Sequence, residues 1–280
     1  MATPLAGKRR DHLVFAHANG FPGAVYGGLL EDWAGDFEVS AIDRFGHAPE
    51  YPVARGWAGL TRQLVDHIDS RVDPQARLWL AGHSLGGYVS VLAAAELGDR
   101  VQGVVLLDSP LIGGLSAQLV RCGRRLGLDH YVLPLRQTRR RRREWPDLEA
   151  AHAHFAARGA FARWDARVLR HYVEQGTLSR GDGGRVLAFD PDIELAIYRT
   201  LPTGSVVAAA RAATAPLGFI GGTGSRELRQ AGLRATRVAT GGRIAWVRGS
   251  HLFPMERPHE TAQAVREMIL AMDAPAARAA

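Results

Sequence analysis

Gly82-His83-Ser84-Leu85-Gly86 is the stretch of this 280-residue chain whose residue types and spacing can do chemistry. A short apolar run, Leu78-Trp79-Leu80-Ala81, precedes it and fits a buried strand, and Gly87–Leu97 after it reads as a helix. A strand that turns sharply into a helix forces its middle residue into a strained backbone. Side chains two before and two after would then collide unless they are glycine. The strain lifts the Ser84 hydroxyl above the sheet edge, beside a helix N-terminus whose unpaired N–H groups favour negative charge. Ser84 is therefore the candidate nucleophile. The competing reading is an ordinary strand-to-helix turn, and the strand before and helix after weigh against it.

A serine nucleophile needs a base, a group to orient that base, and donors for the oxyanion. The base should be a histidine on a loop after the last strand. Gly249-Ser250-His251-Leu252-Phe253-Pro254 supplies one. Of eleven histidines, His251 alone combines this place with a glycine-containing loop. The competing reading for any single histidine is a packed or surface residue.

The elements that must position these groups alternate along the chain. His12–Ala18 is the first strand and runs into a turn at Asn19-Gly20-Phe21-Pro22-Gly23. Val25–Trp33 reads as a short helix and Phe37–Asp43 as the second strand. Leu60, Leu64, Val65 and Ile68 have helical spacing within Trp57–Ile68. Arg77–Ala81 is the third strand and Val101–Asp108 the fourth, a near-continuous apolar run suited to a parallel strand covered on both faces. Such alternation predicts right-handed crossovers and an open, mostly parallel sheet. Leu111–Gly204 breaks the rhythm with helix-like segments at Leu148–Arg158, Val168–Gln175 and Ile193–Thr200 and no convincing strand. Pro216–Gly222 and Arg243–Gly249 resume the sheet. His259–Met272 closes it as an amphipathic helix with Ala262, Val265, Met268, Ile269 and Met272 on one face.

Composition bounds the rest. The length suits one α/β domain with an insertion, and the apolar content of 46% is ordinary for a globular protein. A single cysteine, Cys122, excludes an internal disulfide and suits a reducing compartment; it reads as incidental, with no base beside it. No signal peptide or membrane span is read, so a cytoplasmic protein is expected. The net charge of +7 comes almost entirely from arginine, which is unbroken over Arg139–Arg143, with Arg136, Arg121, Arg124 and Arg125 nearby. A phosphate-binding face is one reading. A solvated stretch meeting Glu144, Asp147 and Glu149 is the other. Interleaved aromatics and a nucleic-acid fold signature are missing, so no nucleic-acid partner is expected; an anionic substrate handle fits better.

In these residues the sequence resembles the α/β-hydrolase superfamily, specifically its cap-bearing serine hydrolases. Gly82-His83-Ser84-Leu85-Gly86 resembles the nucleophile elbow, and His17-Ala18-Asn19-Gly20-Phe21-Pro22 the loop after the first strand. Asp43-Arg44-Phe45-Gly46-His47 resembles the loop after the next strand, and Gly249-Ser250-His251 the histidine loop. The resemblance implies an α/β-hydrolase fold of about six strands, the N-terminal hairpin reduced or missing because only eleven residues precede His12. It implies a core of residues 1–110 and 205–280 and a helical cap of 111–204. It also implies oxyanion-hole N–H groups at Phe21 and Leu85 and a structural role for His17.

The acid departs from the pattern. The family usually carries it in a Gly-x-x-Asp turn after the fifth strand, where this chain has Gly221-Gly222-Thr223-Gly224-Ser225-Arg226-Glu227. Some members carry it at the end of the strand after the nucleophile helix, and here that is Asp108. Asp108 is expected as the acid, with Glu227, or no acid at all, as the alternatives.

The expected activity is hydrolysis of a carboxylic ester, less readily a thioester, of small or medium hydrophobic acyl groups. No cofactor or metal is called for. Carbon–carbon bond hydrolysis and haloperoxidase-like chemistry keep the same serine and stay open. A non-catalytic ligand sensor on this scaffold is the second class. Trp145, Trp164 and Tyr198 are candidates to line the pocket, and the oligomeric state is not legible.

Overall fold

The computed structural model describes residues 10–114, 117–118, 122–123 and 133–274. β1 (His12–Ala16) is buried along its whole length. A 3-10 turn at Gly23–Tyr26 leads into α1 (Gly27–Trp33) and then β2 (Glu38–Ala41). α2 (Ala58–Arg71) buries Leu60, Leu64 and Ile68, while Val65 is half-buried. β3 (Leu78–His83), α3 (Leu85–Leu97) and β4 (Val101–Leu107) follow. The expected order holds, with element ends shifted by up to about three residues, the usual scatter of helix and strand ends.

Between β4 and the rest of the sheet come α4 (Leu135–Arg139), β5 (Glu144–Trp145), α5 (Leu148–Ala156) and α6 (Ala166–Gly176). After them come β6 (Thr177–Ser179), β7 (Arg185–Leu187), α7 (Pro191–Thr200) and α8 (Gly204–Ala212). Aspartates start α5, α6 and α7. Asp147, Asp165 and Asp190 accept the backbone N–H groups of Ala150, Arg167 and Asp192, satisfying donors that a helix start leaves unpaired. The reading of this region as strandless is corrected: β5, β7 and β6 form a small antiparallel sheet in that order. Strands of two or three residues are too short to carry a period-2 signal.

The chain returns to the main sheet with β8 (Leu217–Gly222), α9 (Arg226–Ala231), α10 (Arg234–Ala239) and β9 (Ile244–Val247). It ends in α11 (Phe253–Glu256) and α12 (Pro258–Asp273). The main sheet has six strands in the order β2-β1-β3-β4-β8-β9, every pairing parallel. The residues before Arg10, where a reduced hairpin was expected, lie outside the described residues. So do Arg121, Arg124, Arg125 and the tail beyond Ala274.

Period-2 alternation sorts the strand side chains onto two faces. Val14, Ala16, Leu80, Val104 and Leu106 point to the side packed by α2, α3 and α8. Leu13, Phe15, Trp79, Val105 and Leu107 point to the side packed by α1 and α12, where Ala262, Val265, Met268 and Ile269 form the expected face. Each fully buried large side chain there contributes roughly 1.5–3 kcal/mol. From β1 the chain steps outward to β2, then crosses back to β3. The loops after β1 and β3 therefore leave in opposite directions at the carboxyl edge, which opens a crevice. Among the described residues, no helix is long and apolar enough to cross a membrane.

Candidate active site

Ser84 lies between β3 and α3 with φ 53° and ψ −110°, a conformation that ordinary residues avoid and that persists only where the surroundings enforce it. A Cβ on Gly82 would lie 2.3 Å from the Gly86 carbonyl carbon, and one on Gly86 would lie 2.0 Å from the Ala16 oxygen. Glycine is therefore obligatory at both positions. The turn holds the Ser84 hydroxyl at the edge of the crevice.

The loop after β9 brings His251 to it, with Nε2 3.1 Å from Ser84 Oγ. On the other side of the ring, His251 Nδ1 is 2.7 Å from Asp108 Oδ2. Asp108 follows β4 at φ 44° and is buried. Its Oδ1 accepts the Gly222 N–H at 2.8 Å and its Oδ2 accepts the Ser225 hydroxyl at 2.5 Å. A carboxylate so satisfied accepts from Nδ1–H and leaves Nε2 to accept the serine proton, a tautomer assigned from the bonds. Glu227 is exposed and stands 3.5 Å from the Ser225 hydroxyl. Burial lowers the His251 pKa, but the hydrogen bond and charge of Asp108, helped by Glu227, outweigh it and leave the value raised. Among the described residues, Asp108, Glu227 and His251 are also the one group with three potential metal-ligand atoms within 4.8 Å of one another.

His83, the residue before the serine, was passed over in the sequence. Its ring is fully buried beside the His251 ring, with centroids 5.0 Å apart. Burial and that neighbour push its pKa down to about 3, so it is neutral. Its Nε2–H donates to the His251 carbonyl at 2.8 Å, and Nδ1 accepts from the Tyr26 hydroxyl at 2.8 Å. Tyr26 in turn accepts the Ala18 N–H at 3.2 Å. One relay thus joins the loop after β1, the elbow and the backbone of His251. No motif announced it, because its links are far apart in sequence.

The loop after β1 is braced a second time. His17 Nδ1–H donates to the Ala18 carbonyl at 2.8 Å, and its Nε2 accepts the Phe45 N–H at 3.0 Å. Burial holds His17 neutral, with a pKa of about 4. The Phe21 N–H closes the turn onto the Ala18 carbonyl at 3.1 Å. Leu85 begins α3, where N–H groups have no intrahelical partner. The Asn19 side chain donates to the Glu194 carbonyl at 3.0 Å, and among the described residues its buried Oδ1 has no partner.

Aromatic side chains of the insertion crowd the Phe21 side. Trp164 and Tyr172 lie 6.4 and 5.6 Å from Phe21, and Phe155 and Phe161 pack behind Tyr172. Of the candidate lining residues, Trp164 is thus beside the loop, while Trp145 packs on Phe155 beneath Arg142. Tyr198 is half-buried on α7. The arginine run divides. Arg141 pairs with Glu194, Arg143 with Asp190 and Asp192, and Arg142 stacks on Trp145. Arg136, Arg139 and Arg140 are exposed. A cleft of 660 Å³ opens on the flank between α1, α6 and α11, away from Ser84.

A model of the alpha/beta hydrolase family matches residues 13–264. The chain belongs to the alpha/beta hydrolase family. It is similar to rat (Rattus norvegicus) monoglyceride lipase, 37% identical over 82 residues, which are 28% of this chain and 27% of the lipase. That match spans only about a quarter of the relative's length. Two solved structures share the alpha/beta hydrolase architecture. One is E-2-(acetamidomethylene)succinate hydrolase (TM-score 0.68, 22% identity, covering 93% of this chain and 92% of that one). The other is a thioesterase domain from the curacin biosynthetic pathway (TM-score 0.69, 18% identity, covering 94% and 91%). At such identities they share the fold alone.

Proposed function

We propose that this chain is a serine hydrolase that cleaves carboxylic esters of small or medium hydrophobic acyl groups through an acyl-enzyme. The observation that carries this reading is the unbroken line Ser84 Oγ–His251 Nε2 at 3.1 Å and His251 Nδ1–Asp108 Oδ2 at 2.7 Å. His251 Nε2 takes the Ser84 proton as Oγ attacks the ester carbonyl. The oxyanion sits between the Leu85 and Phe21 N–H groups, the Phe21 hydrogen being shared with the Ala18 carbonyl. His251 then gives its proton to the leaving alkoxide. A water, deprotonated by the same nitrogen, releases the acid and restores Ser84. Asp108 stays ionised throughout, fixing the tautomer and stabilising the imidazolium.

Residues 1–110 and 205–280 supply these groups as the core, and residues 111–204 form the cap. The aromatic cluster of Phe21, Trp164 and Tyr172 supports an apolar acyl pocket, and the similarity to a monoglyceride lipase points the same way. An ester series of increasing acyl length, run on wild type and Ser84→Ala, tests the reading. Turnover should fall by about 10⁴ or more in Ser84→Ala, and a fluorophosphonate should label wild type alone. Equal turnover by the two proteins would overturn it. Turnover by neither, with no labelling of wild type, would favour a ligand sensor.

A further inference from the structure

The acyl-transfer scheme leaves the buried carboxylate of Glu256 unused. Glu256 ends α11 with its side chain only 4% exposed. Its Oε2 accepts the Ser250 N–H at 2.8 Å, and its Oε1 accepts the Ser250 hydroxyl at 2.6 Å. Ser250 Oγ in turn accepts the Leu252 N–H at 3.1 Å. The N–H groups on both sides of His251 therefore end on one carboxylate, directly at Ser250 and through its hydroxyl at Leu252. A Cβ on Gly249 would fall 2.6 Å from Glu256 Oε2, so the loop is wrapped tightly around this group.

A third donor comes from the insertion. Arg163 Nε lies 3.2 Å from Glu256 Oε1. Arg163 occupies the turn between α5 and α6, and its neighbours Phe161 and Trp164 are anchored against each other and against Tyr172. The Arg163 side chain itself is 66% exposed, so water screens this pair. The two bonds to Ser250 are shielded and charge-assisted, and they dominate.

We propose that Glu256 is a positioning residue: it holds the Ser250–Leu252 backbone so that the His251 ring meets Ser84 and Asp108 together, and Arg163 ties that hold to the insertion. The inference rests on reading His251 as the base. His83 grips the His251 carbonyl from the elbow side, so with Glu256 in place the ring keeps little freedom beyond its own side-chain rotation. A displacement of about 1 Å at a catalytic group can cost on the order of 10² in rate.

The test is steady-state kinetics with pH profiles on wild type, Glu256→Ala, Glu256→Gln, Ser250→Ala and Arg163→Ala. The turnover number should fall about 10²-fold in Glu256→Ala, about tenfold in Glu256→Gln and Ser250→Ala, and about twofold in Arg163→Ala, with KM within about threefold of wild type. The acid limb of kcat/KM should move to lower pH in Glu256→Ala, because a ring that drifts from Asp108 loses what raises its pKa. The groups facing that ring (Asp108, Glu227 and His83) are untouched in every variant. Wild-type turnover and an unmoved limb in Glu256→Ala and Ser250→Ala would overturn the proposal. Should Glu256→Ala fail to fold, Glu256→Gln and Ser250→Ala decide on the same criteria. If wild type is inactive and unlabelled by a fluorophosphonate, the hydrolase reading fails. The low-field proton resonance of His251 Nδ1–H then decides the positioning. Present in wild type and lost in Glu256→Gln or Ser250→Ala, it supports the hold; present in all, or absent from wild type, it refutes it.

Discussion

Two carboxylates compete for His251 in the sequence, and a single hydroxyl separates them in space. Asp108 meets the ring at 2.7 Å and is 1% exposed, whereas the exposed Glu227 stands 3.5 Å from the Ser225 hydroxyl and acts on the ring through its charge. Asp108→Asn should lower kcat/KM by about 10³–10⁴, because the amide imposes the wrong tautomer on the ring. Glu227→Gln should stay within about threefold, since an exposed charge at that remove is screened. Ser225→Ala, which strips a donor from a buried carboxylate, should fall between them at about tenfold. Rates on one activated ester rank the three, and a larger loss in Glu227→Gln than in Asp108→Asn would reverse the assignment. Ser225 stands three residues after Gly222, where the family resemblance puts an acid, so Asp108→Asn combined with Ser225→Asp should regain about tenfold over Asp108→Asn alone. Ser84 and His251 were legible because glycines and strand ends mark them. Ser225 was not, since its meaning depends on a partner 117 residues away.

Elements explain why the legible residues meet. The apolar runs of β1, β3 and β4 and the glycines of the elbow are local signals, so a mostly parallel sheet was legible in the sequence, while the order of its strands was not. The strands of the insertion could not, being only two or three residues long. The relay through Tyr26 was hidden for a different reason: it joins the turn before α1 to the end of β3, and only the tertiary crossing brings them together. Tyr26→Phe keeps the ring packed on Phe15, with centroids 4.7 Å apart in the wild type, but removes the hydroxyl from Ala18 N–H and His83 Nδ1. Two buried polar groups lose a partner, at about 1–3 kcal/mol. Calorimetry should show Tm lower by roughly 2–10 °C. An unchanged Tm would mean that water replaces the hydroxyl. Gly86→Ala is harsher: its Cβ would meet the β1 backbone at 2.0 Å, and no soluble, folded protein should be recovered on expression.

For the molecule as a whole, charge and protonation set the working range. The basic excess of +7 is partly tied down, because Arg141 and Arg143 are committed to acids of α7 and its cap. The consequence for pH lies with the histidines. Burial holds His17 near a pKa of about 4 and His83 near about 3, both far below the ordinary 6.5. The native state therefore refuses protons that the unfolded chain accepts once the pH drops below 6.5. Their stabilisation is complete above that value and is lost as the pH falls toward about 4 and then about 3. Each group contributes up to about 1.4 kcal/mol per pH unit in that window, so the pair gives a slope approaching roughly 3 kcal/mol per unit near pH 5. His251 runs the other way. Its raised pKa adds stability that is present below 6.5 and fades as the pH rises through the folded value. In the proposed mechanism the same protonation removes the base, so the acid limb of kcat/KM should lie above pH 6.5. Acidification should thus silence turnover before it unfolds the chain, with activity restored on returning to neutral pH from about pH 6. Urea midpoints and kcat/KM measured together from pH 8 to pH 4 separate the two events. A flat urea midpoint down to pH 5 would show that His17 and His83 are not held neutral, and coincident loss of fold and activity would show that His251 is not the group that titrates first.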